Sequence, residues 1–471
     1  MNSDQLNTPN GLYLPNTSRL SIEEKIELGK NIRKDLPRTS HADYQAPSSR
    51  RDPVSIIMEQ DQSRIQELVP IRHARMLTSS FAFLRGTAKI MIEDIGGQAT
   101  TKIPVLANGD MHVSNFGIYA TAERNVVFSI NDFDETHPGA WEWDLKRLTT
   151  SAVVCATFLG GDRQTCEAAA RAVVKSYREK MTIYAKESNL SIWYKTIHVQ
   201  EVLNSLSSES KKETEAIISK AQTKTQLESY EKMAHLVNDR PQIVSSGPLI
   251  THEVNLESDK TTHALLDNIL KSYFESLNFD RQTLLKRYQA LDIARKVVGV
   301  GSVGTRCWVI LLQGINDKDP LFLQIKQAQD SVLAPFWDQK LPFINHGRRV
   351  ISGQRTIQGA PDIFLGWGEL ADHLQFYVRQ LSDMKGSVEL IPGKTKLSFF
   401  IEYCATCGWA LALAHAKSGD PAIIAGYCGQ SDELDASLAK FAFAYAQQNE
   451  RDYEAMQKAA KSGRIAVAKE F

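Results

Sequence analysis

Residues 108–135 read NGDMHVSNFGIYATAERNVVFSINDFDE, and the fold turns on this stretch. It divides into a polar turn (NGDMHVSN), an apolar strand, a short loop, a strand with alternating apolar positions (NVVFSIN) and an acidic turn (NDFDE). Asp110 and Asn115 precede the hairpin, and the hairpin would carry Asp132 back beside Asn115. Asp134, two residues on, shares the face of Asp132 if the strand continues. Phosphoryl transfer needs such a set. One carboxylate takes the proton of an acceptor hydroxyl, while an amide oxygen and a second carboxylate hold Mg²⁺ against nucleotide phosphates. Asp, Asn and Gly between strands are by themselves ordinary turn residues, so it is the joint spacing that carries the information.

A second informative stretch, residues 297–328, reads VVGVGSVGTRCWVILLQGINDKDPLFLQIKQA. Gly299, Gly301 and Gly304 fit GxGxxG, with Ser302 inside the pattern. A dinucleotide-binding turn must run into a helix. This one runs into TRCWVILLQG, rich in β-branched and aromatic residues, so it predicts strand–loop–strand, the form that folds over ATP phosphates. One hairpin later an apolar strand ends in Lys326, and a lysine facing a cleft needs an anionic partner, which nucleotide phosphate would supply. No Glu lies between Lys326 and Glu369, so the following helix, HGRRVISGQRTIQ, brings no acid to the lysine. Gln354, Asp330 and Asp338 are the substitutes on offer.

The first stretch resembles the kinase-like superfamily, especially its aminoglycoside and choline phosphotransferases, whose catalytic loop has the form HGDxHxxN followed by a strand and IDFD or IDWE. That resemblance implies Asp110 as catalytic base, Asn115 as a metal ligand, and Asp132, with Asp134, as the metal-binding carboxylates. The glycine loop (Gly299, Gly301, Ser302, Gly304) and Lys326 would hold ATP. Asn108 stands where the family carries His. WEWDLKRL resembles the helix whose Asp braces the catalytic loop, which nominates Asp144 for a structural role.

In ordinary kinases the glycine loop and lysine precede the catalytic loop; here they follow it. Close, exposed termini allow a shifted starting point to keep one site. The implied fold is α+β, a protein-kinase-like two-lobed fold in circularly permuted order. Residues 1–50 would be a polar, extended or partly disordered arm, and 51–294 a helical catalytic lobe. Residues 295–392 would be a small β-rich nucleotide-binding lobe, and 393–471 helices completing the large lobe. The charged segment Ser207 to Lys232 reads as a solvated helix or helical hairpin.

From about Arg72 to Tyr453 the chain also resembles an uncharacterised bacterial family, domain of unknown function two-two-five-two. RHARMLTSSFAFLRG, NGDMHVSNFG, NDFDETHPGAWEWDLKRL, VVGVGSVGTRCWVILL and GWALALAHAKSGDPAIIAGY are among the strings that carry it. This resemblance brings no settled activity. It leaves Arg75, Arg85, Trp141 and Arg379 without a role; Arg85 or Arg379 would grip a phosphate or an acidic substrate, or form internal salt bridges.

Composition bounds the rest. The 471 residues, 42% hydrophobic and 23% charged, are those of a globular protein with room for a large two-lobed unit. The 55 basic and 55 acidic residues cancel, so global charge points to neither nucleic acid nor a membrane surface. No apolar run approaches a membrane span, and the first residues lack the pattern of a signal peptide. Six scattered cysteines do not make a disulfide framework, and Cys404 and Cys407 read as helix core rather than a zinc pair. A reducing cytoplasm is the expected compartment.

The expectation is an ATP- and Mg²⁺-dependent phosphotransferase acting on a hydroxyl of an unknown, small-molecule acceptor. A catalytically silent nucleotide-binding pseudokinase or interaction module is the alternative. Nucleotidyl transfer and a metallophosphoesterase, the latter on the GDMH string, rank below.

Overall fold

The structure is a computed structural model that describes residues 20–469 apart from 239, 253–259, 298, 340, 371–373 and 382–383. It is a mixed α+β protein in which an antiparallel sheet is attached to a larger helical body.

The sheet has six strands in the order Gly366–Glu369, Gln375–Gln380, Pro320–Ala328, Cys307–Gln313, Gln289–Lys296 and Ile250–Thr251. Its alternation gives two apolar faces. Ile310, Leu323, Ile325, Phe376 and Val378 pack against Leu266, Ile269 and Tyr273 of the Lys260–Ser276 helix. On the other face Val309, Leu311 and Phe322 meet Tyr230 and Met233 of the Gln226–Met233 helix. Towards one end of that face the register sets Lys326 opposite Cys307 on one side and Tyr377 on the other. A polar row thus continues an apolar one.

The helical body is built on Trp141–Phe158, Arg163–Tyr184, Leu397–Ser418 and Glu433–Lys461. Leu397–Ser418 has 22 residues and is long and apolar enough to cross a membrane by length and composition, against the expectation that no such run exists. Here it is a core helix, packed along Arg163–Tyr184. Cys404 and Cys407 are buried in it as free thiols, as core packing requires.

Three expectations need correction. Residues 20–50 are not an extended arm. A capping box between Ser21 and Glu24 starts the helix Ile22–Ile32, and this helix packs on Pro421–Cys428; residues 1–19 lie outside the described part. The helical lobe expected over 51–294 also holds strands beyond the 108–135 stretch, because the Ala234–Val237 and Arg240–Ile243 hairpin and most of the Gln289–Lys296 strand fall in it. The sheet therefore begins well before residue 295. Ser207 to Lys232 does form two helices, Ser208–Gln222 and Gln226–Met233, but the second is held by the sheet rather than solvated all round. Charge composition hid the apolar pair Tyr230 and Met233 that docks it.

Candidate active site

Two short ladders clamp the two turns of the opening stretch against each other. Ala107 pairs with His137 and Phe116 with Ile130, so the turns 108–115 and 131–136 run side by side between closed strand pairs. The second strand ends at Ile130. Asp132 and Asp134 are therefore brought together by a turn and not by the strand continuation expected from the sequence.

Hydrogen bonds fix the turns. The Asp144 carboxylate accepts from the amides of Asn108 (2.6 Å) and Gly109 (2.8 Å), the bracing role expected of it. Asn108 Nδ2 donates to Asp132 O at 2.6 Å, so the residue in the histidine's place ties one turn to the other. Asn115 Nδ2 donates to Asp110 O at 2.6 Å, and the Asn131 amide donates to Asn115 O at 2.8 Å. Gly109 has φ +81°, and a Cβ there would lie 2.9 Å from Glu135 Cβ. Only glycine allows the two turns so close.

Asp110 Oδ1 accepts from Arg147 Nε (2.9 Å) and from its terminal nitrogen (2.6 Å). Oδ2 lies 3.8 Å from His112 Nε2. Burial pushes the Asp110 carboxyl up from its ordinary value, with Arg147 pulling the other way. Burial drives the His112 imidazole well below its usual value, helped by Arg85 and Arg147, so the ring is neutral. Arg147 was not read from the sequence. It follows Asp144 by three residues on one helix, which sets both against the 108–115 turn.

The sheet meets this loop at Asp134. Lys326 Nζ lies 2.7 Å from Asp134 Oδ2, and Tyr377 OH donates to Oδ1. Because Lys326 and Tyr377 are cross-strand neighbours, one carboxylate is gripped by two adjacent strands. Burial would raise Asp134, but Lys326, Tyr377 and Arg379 together outweigh it and hold the group below the ordinary range. Asp132 goes the opposite way, raised by burial and by its neighbour Asp134. Two carboxylates with divergent proton affinities thus share one turn.

Lys326 has an acid partner after all, and none of the three proposed substitutes supplies it. Asp330 lies 3.8 Å from His346 Nδ1 and Gln354 Nε2 bonds Gln358, while Asp338 makes no contact with the lysine among the described residues. The His346–Gln358 helix contributes Arg349 instead, which donates to the carbonyls of Asp134, Thr136 and Gln329, each at 2.7 Å. Tyr377 and Arg349 were both missed. Pairing the strand of Lys326 with the later strand FYVRQ would have found Tyr377; no sequence signal marked Arg349.

The glycine loop connects the paired strands Gln289–Lys296 and Cys307–Gln313, as strand–loop–strand requires. Gly299 and Gly304 have φ of +67° and +88°. The helical body holds the loop: the Ile65 amide donates to Gly304 O at 2.8 Å, and Arg75 donates to Gly299 O at 2.5 Å. Gly299, Gly301 and Ser302 line a cleft of about 770 Å³ together with Asp110, Asn115, Asp132 and Asp134. Motifs nearly two hundred residues apart, 192 for Lys326 and Asp134, therefore converge on one place. Among the described residues no group of three or more His, Cys, Asp or Glu is arranged to hold a metal; the donors present are Asn115, Asp132 and Asp134. Glu135, also in the cleft and unforeseen, is pushed up to about 7 by burial while accepting from the Val332 amide at 2.7 Å.

No curated protein and no solved structure matches the chain. Residues 64–459, which include every residue of the cleft named in this subsection, match the family described as Uncharacterized protein conserved in bacteria (DUF2252). On that match, which takes in both turns, the glycine loop and the lysine strand, the chain belongs to the DUF2252 family.

Proposed function

We propose that the chain is a Mg²⁺- and ATP-dependent phosphotransferase with a protein-kinase-like site assembled in permuted order, acting on a hydroxyl of a small acceptor. The observation that carries this reading is the Lys326–Asp134 contact, which joins the lysine strand to the acidic turn beside Asp110. The sheet supports it. A glycine loop between its first two long strands, a lysine on the next, then a helix before the last two strands, is the order of parts in a kinase nucleotide-binding sheet.

The donor set fits the nucleotide and its ion. Asn115 and Asp132 offer hard oxygen donors of the kind Mg²⁺ takes. The Asp132 carboxylate accepts one long bond, from the Asp134 amide at 3.4 Å, among the described residues. Asp134 is a third donor once it shares its oxygens with Lys326 and Tyr377. Mg²⁺ bound there would offset charge on the phosphates. Lys326 and the loop of Gly299, Gly301, Ser302 and Gly304 would hold those phosphates.

In this reading Asp110 takes the proton of the acceptor hydroxyl through Oδ2, while Arg147 fixes Oδ1. The acceptor oxygen forms a bond to the γ-phosphorus, the bond from that phosphorus to the β,γ-bridging oxygen breaks, and ADP leaves.

A nucleotide-binding but catalytically silent module is the second reading. Arg349 at the position where kinases bring a lysine-pairing glutamate favours it. Calorimetry of ATP with and without Mg²⁺, on wild type, Lys326→Ala and Asp132→Asn, tests the shared premise. Metal-dependent binding that weakens in both variants is expected, and no binding to wild type would end both readings. An acceptor screen then separates them. Turnover that falls by roughly 10²–10⁴ in Asp110→Asn, the usual worth of a general base, excludes the silent module.

A further inference from the structure

The acidic turn accounts for one side of the cleft; the side facing it is basic. Arg64, Arg72 and Arg85 all line it, from the segment after the Pro53–Asp61 helix and from the helices Val69–Met76 and Ser80–Arg85. Their local neutralisation is incomplete. Asp61 lies 2.6 Å from Arg72, 2.8 Å from His73 and 3.8 Å from Arg64 Nε, so one carboxylate serves two guanidinium groups and a histidine. Arg85 has no ion pair among the described residues; its aromatic neighbour is Phe81, whose ring centroid is 6.0 Å away.

Nε of each of these three arginines is buried with no hydrogen-bond partner among the described residues, although the side chains of Arg64 and Arg72 are only 8% and 1% exposed. Buried donors left without acceptors are costly, and buried guanidinium charge more so. Such a cost is sensible where a ligand completes the set. The rim does not share the imbalance: Arg51 pairs with Glu59 and Glu93, and Lys89 with Glu59.

We propose that Arg64, Arg72 and Arg85 form an anion site that holds a phosphate group carried by the hydroxyl acceptor. Guanidinium forks match the oxygens of phosphate and can satisfy it from more than one side. Asp61 is the one carboxylate within 4 Å of any of the three among the described residues, which leaves them free to take an anion. Arg85 lines the same cleft as Asp110 and Asp132 and feels their field, so the anion shares the cleft with the proposed base, where an acceptor belongs. The Arg85 carbonyl also lies 3.4 Å from where a Cβ on Gly301 would stand, which sets this arginine's helix beneath the glycine loop. The substrate class that follows is a phosphorylated small alcohol. This inference rests on the phosphotransferase reading for the acceptor's role but not for the anion site itself.

The test is binding of inorganic phosphate, followed by calorimetry, to wild type, Arg85→Gln and Arg64→Gln, each with and without saturating ADP and Mg²⁺. ADP affinity is measured on the same proteins, and thermal unfolding shows that each variant is folded. Wild type is expected to bind phosphate in both conditions. Each variant should weaken it by about ten-fold or more, the worth of a lost charge-assisted bond, with ADP affinity changed by less than about three-fold in Arg85→Gln, since Arg64 also bonds the glycine loop at Val303 O. No phosphate binding to wild type, or binding unchanged in both variants, overturns the anion site. Loss of ADP affinity in step with phosphate would assign the arginines to the nucleotide and overturn the acceptor role. Phosphate binding that follows the variants in a protein that never binds ADP would keep the anion site and remove the phosphotransferase reading beneath it.

Discussion

Lys326 Nζ stands 2.7 Å from Asp134 Oδ2, with the lysine side chain 3% exposed and the carboxylate 29% exposed at the cleft. Burial on its own would lower the lysine, but Asp134, Tyr377 and Asp132 together outweigh it and raise the group well above its ordinary value. Removing one member of such a pair leaves the other uncompensated. Lys326→Met should therefore cost about 2–4 kcal/mol, somewhat less than a fully dry pair because Asp134 keeps its bond from Tyr377 and touches the cleft. Lys326→Met combined with Asp134→Asn should cost less than the sum of the single changes. Urea unfolding of the four proteins measures the cycle, and strict additivity would show that the contact carries no coupling.

Asp144 holds the 108–115 turn through two backbone amides and does not itself line the cleft. Asp144→Asn keeps the shape and removes the charge and one acceptor. Stability should fall by about 1–3 kcal/mol. Hydrogen exchange at the amides of Asn108 and Gly109 should accelerate, because these are the donors that lose their carboxylate. If the phosphotransferase reading holds, turnover falls with little change in nucleotide affinity. Unchanged exchange at both amides would remove Asp144 from its bracing role.

Gly29 of the first helix lies against the backbone of the Pro421–Cys428 helix. A Cβ there would come 2.0 Å from Ile423 O and 2.7 Å from Tyr427 N, neither of which can move aside cheaply. Gly29→Ala should unseat the N-terminal helix and destabilise the protein by about 1–3 kcal/mol. Limited proteolysis should then cut between residues 20 and 50 faster than in wild type. Equal protection would mean that the helix docks by Arg33 and Arg38, which bond the carbonyls of Tyr427 and Cys428.

What the sequence disclosed was local and periodic. The turn–hairpin–turn at 108–135 and the glycine loop with the strand after it at 299–313 follow from alternation and turn residues, and Asp144 followed from its place in WEWDLKRL. What it withheld was set by contacts between distant segments. Tyr377 reaches Asp134 only because its strand pairs with that of Lys326 in one register, and a shift by one residue would point it away. Arg349 has no acid partner among the described residues to advertise it, since there it bonds backbone carbonyls. The N-terminal helix was hidden by its composition: it is polar on most faces and docks through a glycine, which no hydrophobic pattern marks. The same reason explains the arginines of the cleft, which look like surface charge until their burial is known.

Lys417 gives a prediction in pH. It lies near the end of the Leu397–Ser418 helix, 9% exposed, and its Nζ is buried with no hydrogen-bond partner among the described residues. Burial lowers it from 10.5 to about 8. A base that is depressed on folding binds fewer protons in the native than in the unfolded chain between those two values, so stability rises with pH across that window. Below about pH 8 both states are charged and the folded chain bears the whole cost; above about 10.5 both are neutral and the cost is gone. Lys417→Met keeps most of the volume without the charge. It should be more stable than wild type at pH 7 by up to about 3 kcal/mol, with the gap closing between about pH 8 and 10.5. Other groups that titrate there are common to both proteins and cancel in the difference. Urea unfolding at several pH values reads the gap. One that stays constant to pH 10.5 would trace the effect to packing, and no gap at pH 7 would mean that the ammonium reaches water.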